Sequence, residues 1–319
     1  MSVPATEASA NLANAADEIE VLPMSVHIGA QINGVDLSKP LSEAQVSAIR
    51  AALLKWKVVF FRDQNLDHQQ HIDFARTLGD PTPGHVVFGG EPGHPEMYSI
   101  AKFRKANSKR GTAPLRPWSG WHADITAAVN PPSISILRGV TVPPYGGDTL
   151  WTNLAAAYNA LSPALKAWLD TLHGEHRFDA PTGSANSSEY DELVSQNSLA
   201  TVHPLIRVHP ETGEKVLYVS PGFLKSIPEL SAQESEHVIQ MLWEQAVLPE
   251  FTVRFRWEPG SIACWDNRAT AHLAPRDIFD TDFDRQFYRV TLMGDIPFGV
   301  DGAQSEAQNG PPITPVATA

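Results

Sequence analysis

The chain has 319 residues, 36 acidic against 24 basic side chains, a net charge of −12 and 42% apolar residues. That length holds one large domain or two ordinary ones with a sizeable core, and the acidic balance argues against nucleic-acid binding. Nothing approaches about 18 uninterrupted apolar residues, so no membrane span is expected.

Residues 1–20 are Ala-rich, polar and acidic, with no basic segment before an apolar run, so they read as a disordered leader and not a signal peptide. Ser42-x-x-Gln45 is a capping box opening a helix with Val46, Ile49, Leu53 and Trp56 on one stripe. Lys57 to Arg62 then reads as a short buried strand. A second amphipathic helix follows Asp67, with Phe74, Ala75 and Leu78 on its apolar face. The stretch from Asp80 to Gly120 is rich in Gly, Pro, Lys and Arg and has no clear period, as expected of a functional loop, with a lid at about 84–118. Lys102, Arg104, Lys105, Lys109, Arg110 and Arg116 occur there without an acidic residue among them, as either a solvated face or a positive lid that draws in an anion. Ser133 to Val142 reads as a strand, Ser162-Pro163 starts a helix, and Ser231-x-x-Glu234 caps another through Trp243. Phe251 to Met293 is strand-rich. The lone cysteine, Cys264, lies in an apolar run as a buried inert thiol, excludes an intramolecular disulfide and fits a cytoplasmic address. Residues 301–319 read as a flexible tail. One domain over 21–300 is expected: mainly β with helical insertions, a double-stranded β-helix (jelly roll) flanked by helices.

The chemistry concentrates in Trp121-His122-Ala123-Asp124 and in His272, which ends Trp265-Asp266-Asn267-Arg268-Ala269-Thr270-Ala271-His272. Two histidines and a carboxylate are the ligands of a non-haem Fe(II) oxygenase, bound on one face of an octahedron. On a strand, residues i and i+2 share a face, so His122 and Asp124 can hold one ion. The triplet alone is weak, since roughly 0.7 His-x-Asp triplets are expected by chance in a chain of this composition. A second one, His71-Ile72-Asp73, falls in a helix, where i and i+2 point about 200° apart and cannot chelate. His71 is therefore expected to be packed and hydrogen-bonded, and Asp73 solvent-facing. In Arg285-Gln286-Phe287-Tyr288-Arg289-Val290-Thr291 a strand puts Arg285, Phe287, Arg289 and Thr291 on one face and Tyr288, Val290 and Leu292 on the other. Two guanidiniums on a strand covered on both faces need anions, either nearby Asp residues or ligands held bidentately. Gly146-Gly147-Asp148 is a tight turn before Thr149.

Taken in order, His122-x-Asp124, Gly146-Gly147-Asp148-Thr149, Trp265-Asp266-Asn267-Arg268 with His272, and Arg285-x-x-x-Arg289 resemble the TauD/TfdA family of Fe(II)- and 2-oxoglutarate-dependent dioxygenases. Supporting segments are Phe60 to Gln64, Phe74 to Gly79, His203 to Arg207 and Pro221 to Phe223, and the resemblance runs from about Val26 to Pro297. It implies the jelly-roll fold and a His122, Asp124 and His272 site for Fe(II). It further implies 2-oxoglutarate held by Thr149 and Arg285, Arg289 on either 2-oxoglutarate or substrate, O2 as co-reactant, stimulation by ascorbate, and a homo-oligomer (dimer or tetramer). Asp124 disfavours halogenation, because related halogenases lack that carboxylate. His85 is the nearest match to the family's sulfonate-contacting histidine, Phe88 and Trp118 replace its polar tyrosine and asparagine, and Phe223 keeps an aromatic wall. A larger and more apolar anion than taurine is the expectation.

The expected reaction is hydroxylation of an unactivated carbon in a small to medium anionic organic substrate, with succinate and CO2 as co-products. The alternative outcome is oxidative cleavage of an alkyl sulfate or sulfonate through an unstable hydroxylated intermediate. A non-catalytic metal-binding jelly roll and a zinc hydrolase are the alternatives of another class; the paired Arg285 and Arg289 weigh against both, since neither requires a keto-acid anchor.

Overall fold

A run such as Val58-Val59-Phe60-Phe61 is apolar on both faces because the strand it forms lies between two packed layers. In the computed structural model, which describes residues 19–85, 88–101, 116–179 and 188–316, this strand belongs to a seven-stranded sheet. Its order is Glu20–Pro23, Ala30–Asn33, Val58–Phe61, Ile262–Asp266, Ile134–Thr141, Gln286–Thr291 and Met97–Ala101. All neighbours are antiparallel except Ala30–Asn33 with Val58–Phe61. A three-stranded antiparallel sheet, Thr252–Phe255, Thr149–Asn153 and Thr270–Leu273, faces it.

The side-chain period of two sorts the large sheet. Val58, Phe60, Leu137, Ala263, Trp265 and Phe287 point inward and meet Trp151, Val253 and Phe255 of the small sheet. Val59, Phe61, Ile136, Cys264 and Val290 point outward onto the helices Glu43–Trp56 and His68–Leu78. Both helices begin with complete capping boxes, at Ser42 and Asp67. His71 is buried against the Ile136 carbonyl at 3.2 Å and Asp73 is exposed, as their helical positions require. Cys264 is fully buried and its thiol is pushed up by burial. The outer face of the small sheet is covered by the helices Leu154–Asn159 and Ala232–Ala246. Strands with inserted helices closing two facing sheets form the expected jelly-roll core. Among the described residues no helix is long and apolar enough to cross a membrane.

Two expectations change. The segment 301–316 is not a loose tail: Glu306–Asn309 pairs with Leu199–Pro204 at the edge of a four-stranded sheet. Asn309 reaches the Ser198 hydroxyl at 2.8 Å, and Asn130 holds both backbone groups of Ile313. This edge strand is exposed at every residue, so its backbone pairs without any apolar alternation in the sequence to announce it. The aperiodic stretch after Asp80 also contains a strand, Met97–Ala101, which completes the large sheet beside Gln286–Thr291. Of the basic run, Arg116 is exposed, whereas Lys102, Arg104, Lys105, Lys109 and Arg110 lie outside the described residues, as do residues 1–18.

Candidate active site

Between the two sheets, at one end of the core, a cleft of about 390 Å³ is lined by every candidate residue named from the sequence except Trp118. His272 stands on the strand Thr270–Leu273, opposite Trp151 in the neighbouring strand. His122 is tied to it by a reciprocal pair of backbone hydrogen bonds, His122 N to His272 O at 2.9 Å and His272 N to His122 O at 2.7 Å. The expected strand through His122 and Asp124 is thus reduced to a single bridge, after which the chain turns at Ile125. His122 and Asp124 still converge. Their donor atoms and that of His272 all lie within 4.8 Å of one another, the one such group of His, Cys, Asp or Glu among the described residues.

Protonation states suit a cation. Burial, then the adjacent His122, holds the His272 imidazole well below its ordinary pKa, so it is neutral. Burial would raise Asp124, but the Arg289 guanidinium beside it and the two histidines outweigh that and keep its carboxyl below the usual range. His122 directs Nδ1 at the Gly120 carbonyl, 3.0 Å away, leaving Nε2 for a ligand role. Such an outer hydrogen bond fixes ring orientation and tautomer in metal sites. Asp124 is held on both oxygens: Ser135 donates to Oδ2 at 2.6 Å and Arg289 contacts Oδ1. Asn267 in turn donates to Ser135 at 2.8 Å and accepts from the Trp265 indole at 2.9 Å. The Trp265-Asp266-Asn267-Arg268 turn therefore braces Asp124 as well as aiming His272. Two imidazoles, that of His272 neutral, and an ionised carboxylate converging with open space before them fit a divalent metal.

Arg285 and Arg289 are both buried, at 7% and 9% exposure, on the same face as Phe287. Arg285 lies over the Phe287 ring at 3.9 Å and donates from Nε to the Gly147 carbonyl at 3.3 Å. Gly147 has φ +66°, and a Cβ there would come within 3.2 Å of Arg285, so the turn needs glycine to let the arginine lie on it. Thr149, the next cleft residue, accepts from Trp257 at 2.9 Å. Arg289 has different neighbours: Asp124, the Tyr98 ring at 5.7 Å, and His85, which packs on Tyr98 at 4.7 Å. Phe88 and Phe223 line the same cleft, with Ile100, Leu137 and Phe178 as further apolar wall.

Trp118 does not. It packs on Trp243 of the helix Ala232–Ala246, rings 5.9 Å apart, in the cluster behind the small sheet. A large apolar ring finds more area there than at a wet cleft. Sequence reasoning missed Tyr98, because its strand lies in the aperiodic stretch, and Ser135, whose only signal is a hydroxyl between Ile134 and Ile136.

The family model for the taurine catabolism dioxygenase TauD, TfdA family matches residues 20–291. The chain belongs to the TauD/TfdA family. It is 39% identical over 90% of its length to an alpha-ketoglutarate-dependent sulfate ester dioxygenase of Pseudomonas putida, covering 94% of that protein. It is 32% identical to an alkylsulfatase of Acinetobacter baylyi, over 92% of this chain and 90% of the relative. Among solved structures, a taurine dioxygenase from Burkholderia xenovorans superposes with a TM-score of 0.82 at 58% identity, covering 92% of this chain and 96% of that one. AAD-2 in complex with Mn(II) and N-oxalylglycine gives 0.71 at 26% identity, over 88% of this chain and 99% of the other. The protein is a 2-oxoglutarate-dependent non-haem iron dioxygenase, and the readings as a zinc hydrolase or a non-catalytic module are set aside.

Proposed function

We propose that this dioxygenase oxidises alkyl sulfate esters, with His122, Asp124 and His272 holding Fe(II), Arg285 and Thr149 the distal carboxylate of 2-oxoglutarate, and Arg289 with His85 the sulfate group. The observation that carries the reading is the pair of buried arginines on one face of one strand. At about 3.3 Å per residue, four residues set their backbones roughly 13 Å apart along the strand. Each has its own surroundings, Gly147 for Arg285 and Tyr98, His85 and Asp124 for Arg289. The apolar wall of Ile100, Leu137, Phe178 and Phe223, with Phe88 at its edge, suits an alkyl chain better than the short polar body of taurine. The sulfate ester dioxygenase and alkylsulfatase among the relatives support the same substrate class.

Bound Fe(II), 2-oxoglutarate and O2 supply the oxidising chemistry, one oxygen atom going to succinate as CO2 leaves and the other to the substrate carbon. The chain's residues decide which carbon. Arg289 fixes the sulfate, the apolar wall aligns the chain behind it, and the carbon bearing the ester oxygen is thereby placed nearest the ligand triad. Hydroxylation there gives a carbon with two oxygens, which collapses to an aldehyde and inorganic sulfate. Binding the substrate also shuts water from the cleft, which limits unproductive turnover. Ascorbate stimulation, a dimeric or tetrameric assembly and a cytoplasmic address rest on family resemblance and on the single buried cysteine.

The test is to incubate the iron-loaded protein with 2-oxoglutarate, O2 and a panel of alkyl sulfates, alkylsulfonates, taurine and aryloxy acids. Equal yields of succinate, sulfate and aldehyde from an alkyl sulfate are expected. Succinate formed with aryloxy acids or taurine and not with any alkyl sulfate would sink the substrate assignment.

A further inference from the structure

The residue directly after the ligand Asp124 has a backbone that its side chain resists. Ile125 sits at φ +44°, the sole β-branched residue among the described non-glycine residues with positive φ. β-Branched residues avoid this region, and such outliers persist where the surroundings over-determine them. Ile125 also lines the cleft. The surroundings are a buried polar clamp on the next residue, Thr126. His176 Nδ1 is hydrogen-bonded to the Thr126 hydroxyl at 2.9 Å, and His203 donates from Nε2 to the Thr126 carbonyl at 2.7 Å. His203 Nδ1 is hydrogen-bonded at 2.7 Å to the hydroxyl of Ser305, which also meets the Pro297 carbonyl at 2.9 Å and lies beyond the stretch matched by the family model. Thr201 donates to the Ala127 carbonyl at 2.8 Å, so three hydrogen bonds, two on Thr126 and one on Ala127, pin this short segment to one sheet. Both histidines are fully buried, packed edge to face with centroids 5.0 Å apart, and Tyr218 stacks on His176.

We propose that Thr126, His176 and His203, locked by Ser305, form a positioning clamp that holds Ile125 in the left-handed conformation and so presents the Asp124 carboxylate to the metal. The clamp acts through Asp124 and touches neither metal nor substrate. It rests on the ligand role of Asp124 proposed above. A strained turn left to itself relaxes toward ordinary φ, which would rotate Asp124 away from His272. The buried histidines supply fixed hydrogen bonds that a solvated loop would exchange with water.

The test reads Mn(II) affinity of the metal-free protein by calorimetric titration, with melting temperatures measured alongside. Wild type is measured first against Asp124→Ala. If wild type binds no Mn(II), or Asp124→Ala binds it equally well, the ligand reading itself fails, and the clamp with it. With that control in place, Thr126→Val, which keeps shape and loses the hydroxyl, and His203→Leu should each weaken Mn(II) binding about 10-fold or more, the range seen for outer-shell partners of metal ligands. His203→Gln, whose amide still donates toward the Thr126 carbonyl, should bind within about 3-fold of wild type. Adding Ile125→Gly to Thr126→Val should recover part of the lost affinity, because glycine accepts positive φ without enforcement. Should His203→Leu not fold, Thr126→Val decides alone. Folded clamp variants with lowered melting temperature and wild-type Mn(II) affinity would show packing alone and overturn the proposal, as would no recovery on adding Ile125→Gly.

Discussion

Replacing Arg289 with alanine separates its contact with Asp124 from the anion-binding role proposed for it. Its side chain is 10% exposed and contacts Asp124, itself 3% exposed. Breaking a buried pair leaves an uncompensated charge and costs about 3–5 kcal/mol. At roughly 2 °C per kcal/mol for a chain of this size, the metal-free variant should melt about 6–10 °C below wild type. A divalent cation on Asp124 replaces the missing positive charge. Saturating Mn(II) should therefore raise the melting temperature of Arg289→Ala more than that of wild type, closing most of the gap. Substrate KM should rise steeply, while 2-oxoglutarate KM moves little because Arg285 remains. Differential scanning fluorimetry with and without Mn(II), followed by succinate assays, reads all of this. An equal metal-induced shift in both proteins would refute the ion pair as the origin of the destabilisation, and an unchanged substrate KM would remove Arg289 from anion binding.

Arg285→Ala should lose about 2–5 kcal/mol of 2-oxoglutarate binding, roughly 30-fold to 5,000-fold, because a buried carboxylate is left unpaired; an unchanged cosubstrate KM would place the anchor elsewhere. Ser135→Ala removes the hydrogen bond on Asp124 Oδ2 and should weaken Mn(II) about 10–100-fold with the fold retained, as calorimetric titration will show. Buried His71 and His203 have folded pKa values lowered to about 3 by burial, against 6.5 when unfolded. The stability they contribute is complete above pH 6.5 and is lost as pH falls toward 3, at about 1.4 kcal/mol per unit for each. Urea unfolding of metal-free protein should thus weaken from pH 6.5 downward, before carboxylates titrate, and His71→Gln should flatten the slope; stability constant down to pH 4.5 would contradict this.

What the sequence disclosed follows from period and chemistry together. The two-sided apolar strands, the capped helices and the shared face of Arg285, Phe287 and Arg289 all have side chains whose spacing states their environment. Glu306–Asn309 does not, since an exposed edge strand is held by backbone pairing that any polar residue can make. Trp118 misled because a tryptophan beside a site suits a substrate wall and a buried core equally well, and only the position of Trp243 decides. The turn at Ile125 and the brace on Asp124 were invisible for another reason: the contacts beside them come from far away in sequence, His203 reaching Thr126 across 77 residues and Asn267 reaching Ser135 across 132.

The most direct test of the ligand set is an anaerobic titration of metal-free protein with Fe(II) and 2-oxoglutarate, following the visible absorption of a keto acid chelated to Fe(II). Wild type should reach saturation at one iron and one 2-oxoglutarate per chain, and His122→Ala, Asp124→Ala and His272→Ala, each folded by circular dichroism, should lose the band together with succinate formation. A full-intensity band at the same stoichiometry in any one of these variants would contradict the account and strike that residue from the site.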